Sequence, residues 1–70
     1  MQRQHVASTN IRSVGYDIDS GTLEVEFTSG GIYDYFDVPE REYEALMRAP
    51  SKGSYLNQNI KDRYRYRQVG

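Results

Sequence analysis

Seventy residues with no cysteine, a single histidine and a net charge of −1 make one small domain, braced by neither a disulfide nor a thiolate metal site. No apolar run has the length of a membrane span or the make-up of a secretion signal, so a cytoplasmic chain with no membrane partner is expected. The charge is divided along the chain. Residues 1–46 set three arginines against nine acids, a net −6, and residues 47–70 set six bases against Asp62 alone, a net +5. A basic end of this kind points to an anionic partner, or to neutralisation by the acidic half within the fold or between subunits.

Residues 1–9 are polar and aperiodic, and a frayed tail is expected there, with a single domain over residues 10–70. Asn10 to Asp17 reads as a strand with Val14 and Tyr16 on one face. Ile11 breaks the alternation, which points to a bulge near Ser13 or Gly15. Asp19-Ser20-Gly21 is a turn signal. Thr22 to Thr28 alternates strictly, Leu23, Val25 and Phe27 against Thr22, Glu24, Glu26 and Thr28, as a strand does with one face on the core and one in water. Ser29-Gly30-Gly31 supplies a hairpin turn. In Ile32 to Phe36, Tyr33 and Tyr35 share one face, and Ile32, Asp34 and Phe36 the other. Either this strand is covered on both sides, or one aromatic pair is displayed.

Pro39 suits the first turn of a helix, and Asp37 and Glu40 have capping-box spacing. Tyr43, Leu46 and Met47 form its apolar stripe. Pro50 ends it, and Ser51 is placed to cap a second, shorter helix running to about Lys61, with Leu56 and Ile60 inward. The end of the chain, Arg63-Tyr64-Arg65-Tyr66-Arg67, has period two. As a strand it sets three guanidinium groups on one face and two tyrosines on the other. The predicted order is β-β-β-α-α-β. This is an α+β fold, a three-stranded antiparallel meander followed by one or two short helices and a C-terminal strand.

Ile11-Arg12-Ser13-Val14-Gly15-Tyr16-Asp17, Leu23-Glu24-Val25-Glu26-Phe27 and Gly31-Ile32-Tyr33-Asp34-Tyr35 occur in order. They are followed by Val38-Pro39, Tyr43, Leu46, Ala49, Ser51-Lys52-Gly53, Asn57, Ile60 and Tyr64. This ordered set, over roughly residues 8 to 69, resembles the stand-alone form of the KTSC family, a short domain named for the C-terminus of some lysyl-tRNA synthetases. The central Tyr-x-Tyr signature falls on Tyr33 and Tyr35. The resemblance implies a domain for which RNA binding has been proposed.

The residues offer no assembled catalytic set. There is no cysteine, the histidine lies in the expected tail, and the hydroxyls of Ser8, Ser51 and Ser54 have no evident base. Gly30-Gly31 lies between strands and so is a turn, not a phosphate loop. No cofactor or metal and no enzymatic activity are expected. The candidate surface for RNA or another anionic ligand combines Lys52, Lys61, Arg63, Arg65 and Arg67 with Tyr33 and Tyr35. Cations neutralise phosphates, and rings stack on unpaired bases. Ser51 would present helix N–H donors beside Lys52, and Asn57 would pin the Ser51 loop or touch a ligand. Two simpler accounts compete: packing of Tyr33 and Tyr35 in the core, and a solvated or ion-paired arginine row facing Glu24 and Glu26. The alternative function is a protein-interaction or self-associating module that uses an exposed edge strand.

Overall fold

The computed structural model describes residues 1–70. Alternation of apolar and polar residues builds its sheet. In β3 (Thr22–Phe27), Leu23 and Val25 are fully buried and Glu24 and Glu26 face away. β2 (Ile11–Asp17) pairs antiparallel with it, bringing Val14 opposite Val25 and Tyr16 opposite Leu23. The register shifts between Ile11 and Ser13. That bulge returns Ile11 to the core face, where it is fully buried, and turns Arg12 out to solvent. β3 reaches β4 (Ile32–Tyr35) through a tight turn in which Gly30 has φ +110°, a conformation that side chains disfavour.

Two helices cover one face of this meander. α1 (Glu40–Arg48) sets Leu46 into the core, with Tyr43 and Met47 packed beside it. It stops because Ala49, before Pro50, adopts extended geometry at ψ 137°. α2 (Lys52–Asn59) begins where Ser51 Oγ accepts from the backbone N–H of Ser54 at 3.3 Å. Leu56 and Ile60 close the core against the sheet. Burial of each such side chain contributes about 1.5–3 kcal/mol. β5 (Tyr66–Gln68) returns to pair antiparallel with β4.

The expected order lacked one strand. The polar N-terminal segment carries β1 (Gln4–His5), paired with β2 through Gln4 opposite Val14 and His5 opposite Ser13. The sheet therefore has five strands in the order β1-β2-β3-β4-β5, all antiparallel, and the fold is β-β-β-β-α-α-β. Two local expectations are also corrected. Asp37 does not cap α1. Its backbone is left-handed at φ 57°, Pro39 takes the N-cap position, and no side chain bonds there. The C-terminal period-two run is not one strand. The N–H groups of Arg63 and Tyr64 both donate to Ile60 O, prolonging the helical turn. Tyr64 reaches back so that its hydroxyl donates to Glu42 at 3.0 Å. Only from Arg65, whose carbonyl accepts from Phe36 N–H, does the chain join the sheet.

Candidate functional site

The face of the sheet away from the helices is polar and largely ion-paired. Ser13, 3% exposed, lies between β1 and β3. It accepts from Arg3 Nε at 2.9 Å and donates to Glu26 at 2.9 Å. Arg3 also pairs with Glu24. Thus Arg3, not the C-terminal arginine row, meets Glu24 and Glu26. On the next strand Asp34 stands directly opposite Glu24. Burial pushes the Asp34 carboxyl up to about 6, helped by a proton shared with Glu24 and by that neighbour's negative charge. Its Oδ1 is buried and has no hydrogen-bond partner. Arg67, in register with Asp34 on β5, and Arg3 offset only part of this.

This pair sets a pH dependence. Unfolded, Asp34 releases its proton near 3.8; folded, it holds it to about 6. Between those values folded Asp34 binds its proton more than unfolded Asp34 does, so its contribution to stability falls as pH rises through the window, while Glu24, whose carboxyl is lowered, contributes with the opposite sign at lower pH. Asp34→Asn, which keeps a donor toward Glu24, is expected to stabilise the domain by about 1 kcal/mol at pH 7.5 after solvent screening is allowed for. That raises the thermal midpoint by about 4–8 °C. Thermal unfolding followed by circular dichroism should show the gain at pH 7.5 and none at pH 3.5. An unchanged midpoint at pH 7.5 would contradict the shared-proton account.

The helix-facing side of the sheet is not fully covered. α2 leaves β4 and β5 open near its C-terminus, and the gap is a pocket of about 270 Å³ lined by Phe27, Ser29, Tyr33, Tyr35, Lys61 and Tyr66. Alternation on β3 and β4 aims Phe27, Tyr33 and Tyr35 into it, and β5 adds Tyr66 opposite Tyr35. The rings support one another. Phe27 meets Tyr33 edge-on at 5.6 Å, and Tyr66 lies 5.8 Å from both Tyr33 and Tyr35. Tyr35 is 3% exposed and also belongs to the core, whereas Tyr66 is 58% exposed. Of the Tyr-x-Tyr pair, Tyr35 is packed in the core and Tyr33 is half-buried at the pocket. Burial, reinforced by the neighbouring Tyr33 and Tyr66, raises the Tyr35 hydroxyl above its ordinary value of 10.0, so that hydroxyl stays protonated at physiological pH.

Tyr66 also borders a second, more open depression of about 450 Å³, lined by Phe36, Arg65 and Arg67 as well. Here the Arg65 guanidinium lies 5.8 Å over the Phe36 ring and pairs with Asp37 at 3.2 Å. Lys61, Arg63 and Arg67 enter none of the ion pairs of this fold.

The predicted residues thus fall into separate places. Tyr33, Tyr35 and Lys61 share the aromatic pocket, and Arg65 and Arg67 share the adjoining depression. Arg63 sits exposed in the turn after α2, out of the row, because Tyr64 is drawn to Glu42. Ser51 and Lys52 line a different groove, with Ser8, Thr9 and Asn10. There the Ser51 hydroxyl is engaged as a cap and Lys52 Nζ donates to Ala49 O at 3.2 Å. Asn57 lies exposed on α2 and lines no depression; the amide that bonds back along that helix is Asn59, to Tyr55 O. Tyr66, the wall common to both aromatic depressions, was not among the predicted residues. Its signal was its even spacing from Tyr64 in a run noticed for its arginines.

The KTSC domain model matches residues 7–64. The chain belongs to the KTSC family. A KTSC domain protein from Yersinia pestis, known from a crystal structure, superposes with a TM-score of 0.96 at 43% identity, over 99% of this chain and 97% of that one. An uncharacterised protein of Stutzerimonas stutzeri is 45% identical over 67 residues, 94% of each chain. A lysine–tRNA ligase of Nostoc punctiforme is 41% identical over 59 residues, which are 84% of this chain and 10% of the ligase. The KTSC chain described here has no helix long and apolar enough to cross a membrane.

Proposed function

We propose that this KTSC domain is a non-catalytic module that binds unpaired nucleic acid, RNA first, through the aromatic pocket between β4, β5 and the end of α2. One observation carries the reading: four aromatic rings and an unpaired lysine converge on an open pocket of about 270 Å³. Bases stack on such rings whatever their sequence, each contributing about 1–3 kcal/mol. Lys61 and Arg67, neither of them in an ion pair, supply cations for the backbone. Occurrence of the same domain within lysine–tRNA ligases, proteins named for a tRNA, is consistent with an RNA ligand.

Fluorescence anisotropy with labelled single-stranded RNA and duplex DNA tests this. Single-stranded RNA is expected to bind and the duplex to bind more weakly. Tyr66→Ala should weaken RNA binding about 10-fold, in line with the loss of one stacked base. Lys61→Ala and Arg67→Ala together should flatten its salt dependence, at about 0.7 per phosphate neutralised on a single strand. No binding by the folded protein would remove this reading.

A second reading rests on a different feature. β5 is an edge strand whose three residues are all exposed, and such an edge can pair with another chain. Assembly seen by size exclusion, persisting without nucleic acid, would favour it.

A further inference from the structure

We propose, building on the nucleic-acid reading, that the site holds two consecutive unpaired nucleotides, one on each side of the Tyr66 ring, and no more. The two depressions beside β5 share Tyr66 as a wall, and each brings its own ring and its own cation. The first has Tyr33 and Lys61; the second has Phe36, with Arg65 and Arg67. β5 is the last strand of the sheet, so no further strand separates the two depressions. One bound base takes its place against Tyr33 and Tyr66. The next crosses the strand edge and lies on the Phe36 side, where Arg65 already stacks at 5.8 Å. A paired, stacked duplex cannot straddle a side-chain ring without unstacking, so the geometry selects single strands.

Charge limits the site to two. Beyond Arg67 the outer face offers no free cation: Asp34 and then Glu24 follow in cross-strand register, and Arg3 is already paired with Glu24. A third phosphate there meets the Asp34 carboxyl and a neutralised ion pair instead of an unpaired lysine or arginine. Asp37 occupies Arg65 at 3.2 Å in the free protein. Both partners are about 80% exposed, so the pair opens readily for a phosphate to replace the carboxylate.

Oligoadenylates of one to six nucleotides, titrated against the intact chain at fixed salt and followed by tyrosine fluorescence, test this. Affinity should rise about fivefold or more from one nucleotide to two, as expected for a second stacked base. Beyond two it should grow only with the number of binding registers. Tyr66→Ala, its fold checked by circular dichroism, should abolish the step from one to two. Asp37→Asn should enlarge that step while leaving the mononucleotide unchanged. Affinity that climbs beyond two nucleotides more steeply than the number of registers, or a dinucleotide no tighter than a mononucleotide, overturns the two-nucleotide site and leaves the RNA reading standing. Failure of every length to bind overturns both.

Discussion

Glu42→Ala should lower the thermal midpoint of this domain by about 8–32 °C. The Glu42 carboxylate, on α1, accepts from the hydroxyl of Tyr55 on α2 and from that of Tyr64 on the approach to β5. A single side chain therefore ties both helices to the returning strand. Hydrogen bonds to a charged group contribute about 1.5–3 kcal/mol each, and truncation leaves two part-buried hydroxyls without their acceptor. Allowing for partial exposure, the expected loss is about 2–4 kcal/mol, at about 4–8 °C per kcal/mol for a domain of this size. The same contacts shape the alkaline limb. The Tyr55 hydroxyl is raised above 10.0 chiefly by its bond to Glu42, and that of Tyr64 by burial and then by the same bond. The unfolded chain therefore ionises first, and wild-type stability falls as pH rises beyond about 10. Urea unfolding of the wild type, Glu42→Ala and Glu42→Gln at pH 7 checks the clamp, with Gln, which keeps one acceptor oxygen, expected between the other two. A loss below about 1 kcal/mol for Ala would show that the hydroxyls find other partners.

A second large effect is expected at Gly15. Its backbone faces the N-terminal segment, and a Cβ there would lie 2.6 Å from the carbonyl oxygen of Gln2 and 3.0 Å from the Arg3 side chain. The first contact is with backbone, so relief requires the segment to move. Gly15→Ala should displace β1, losing the pairing of Gln4 with Val14 and the Arg3 contacts to Ser13 and Glu24. Overpacking of this kind costs about 1–3 kcal/mol. Amide hydrogen exchange distinguishes detachment from general loosening. The expected result is loss of protection along the β1 side of β2 with β3 and β4 unchanged. Unchanged protection in β2 would mean that the segment adapts in place.

These effects also show which parts of the fold the sequence discloses. Alternation in Thr22–Phe27, the broken alternation at Ile11 and the Pro50-Ser51 junction each have a local cause, and each was legible. β1 was not, because Gln4–His5 has no apolar period; backbone pairing and Arg3, half-buried against Ser13 and Glu24, hold it. The continuous arginine strand failed because period two in Arg63–Arg67 was outweighed by a tertiary bond, Tyr64 to Glu42, that no local pattern announces. Asp37 at capping distance from Glu40 failed for a conformational reason, since a left-handed residue points its side chain elsewhere, here to Arg65. The site was legible in part. Alternation placed Tyr33 and Tyr35 together, but Lys61 and Tyr66 join them only once α2 ends and β5 docks beside β4. The Glu24–Asp34 pair could have been read, because the short Ser29-Gly30-Gly31 turn limits the register that puts those carboxyls opposite each other.

The most direct test of the central claim is a backbone amide NMR titration with a short single-stranded RNA. The account predicts shifts that move together at Ser29, Tyr33, Lys61, Tyr66 and Arg67, with the Ser51–Lys52 groove and the Glu24 face quiet. Shifts centred on Ser51 and Lys52, or no shifts in a folded sample at millimolar RNA, would contradict it.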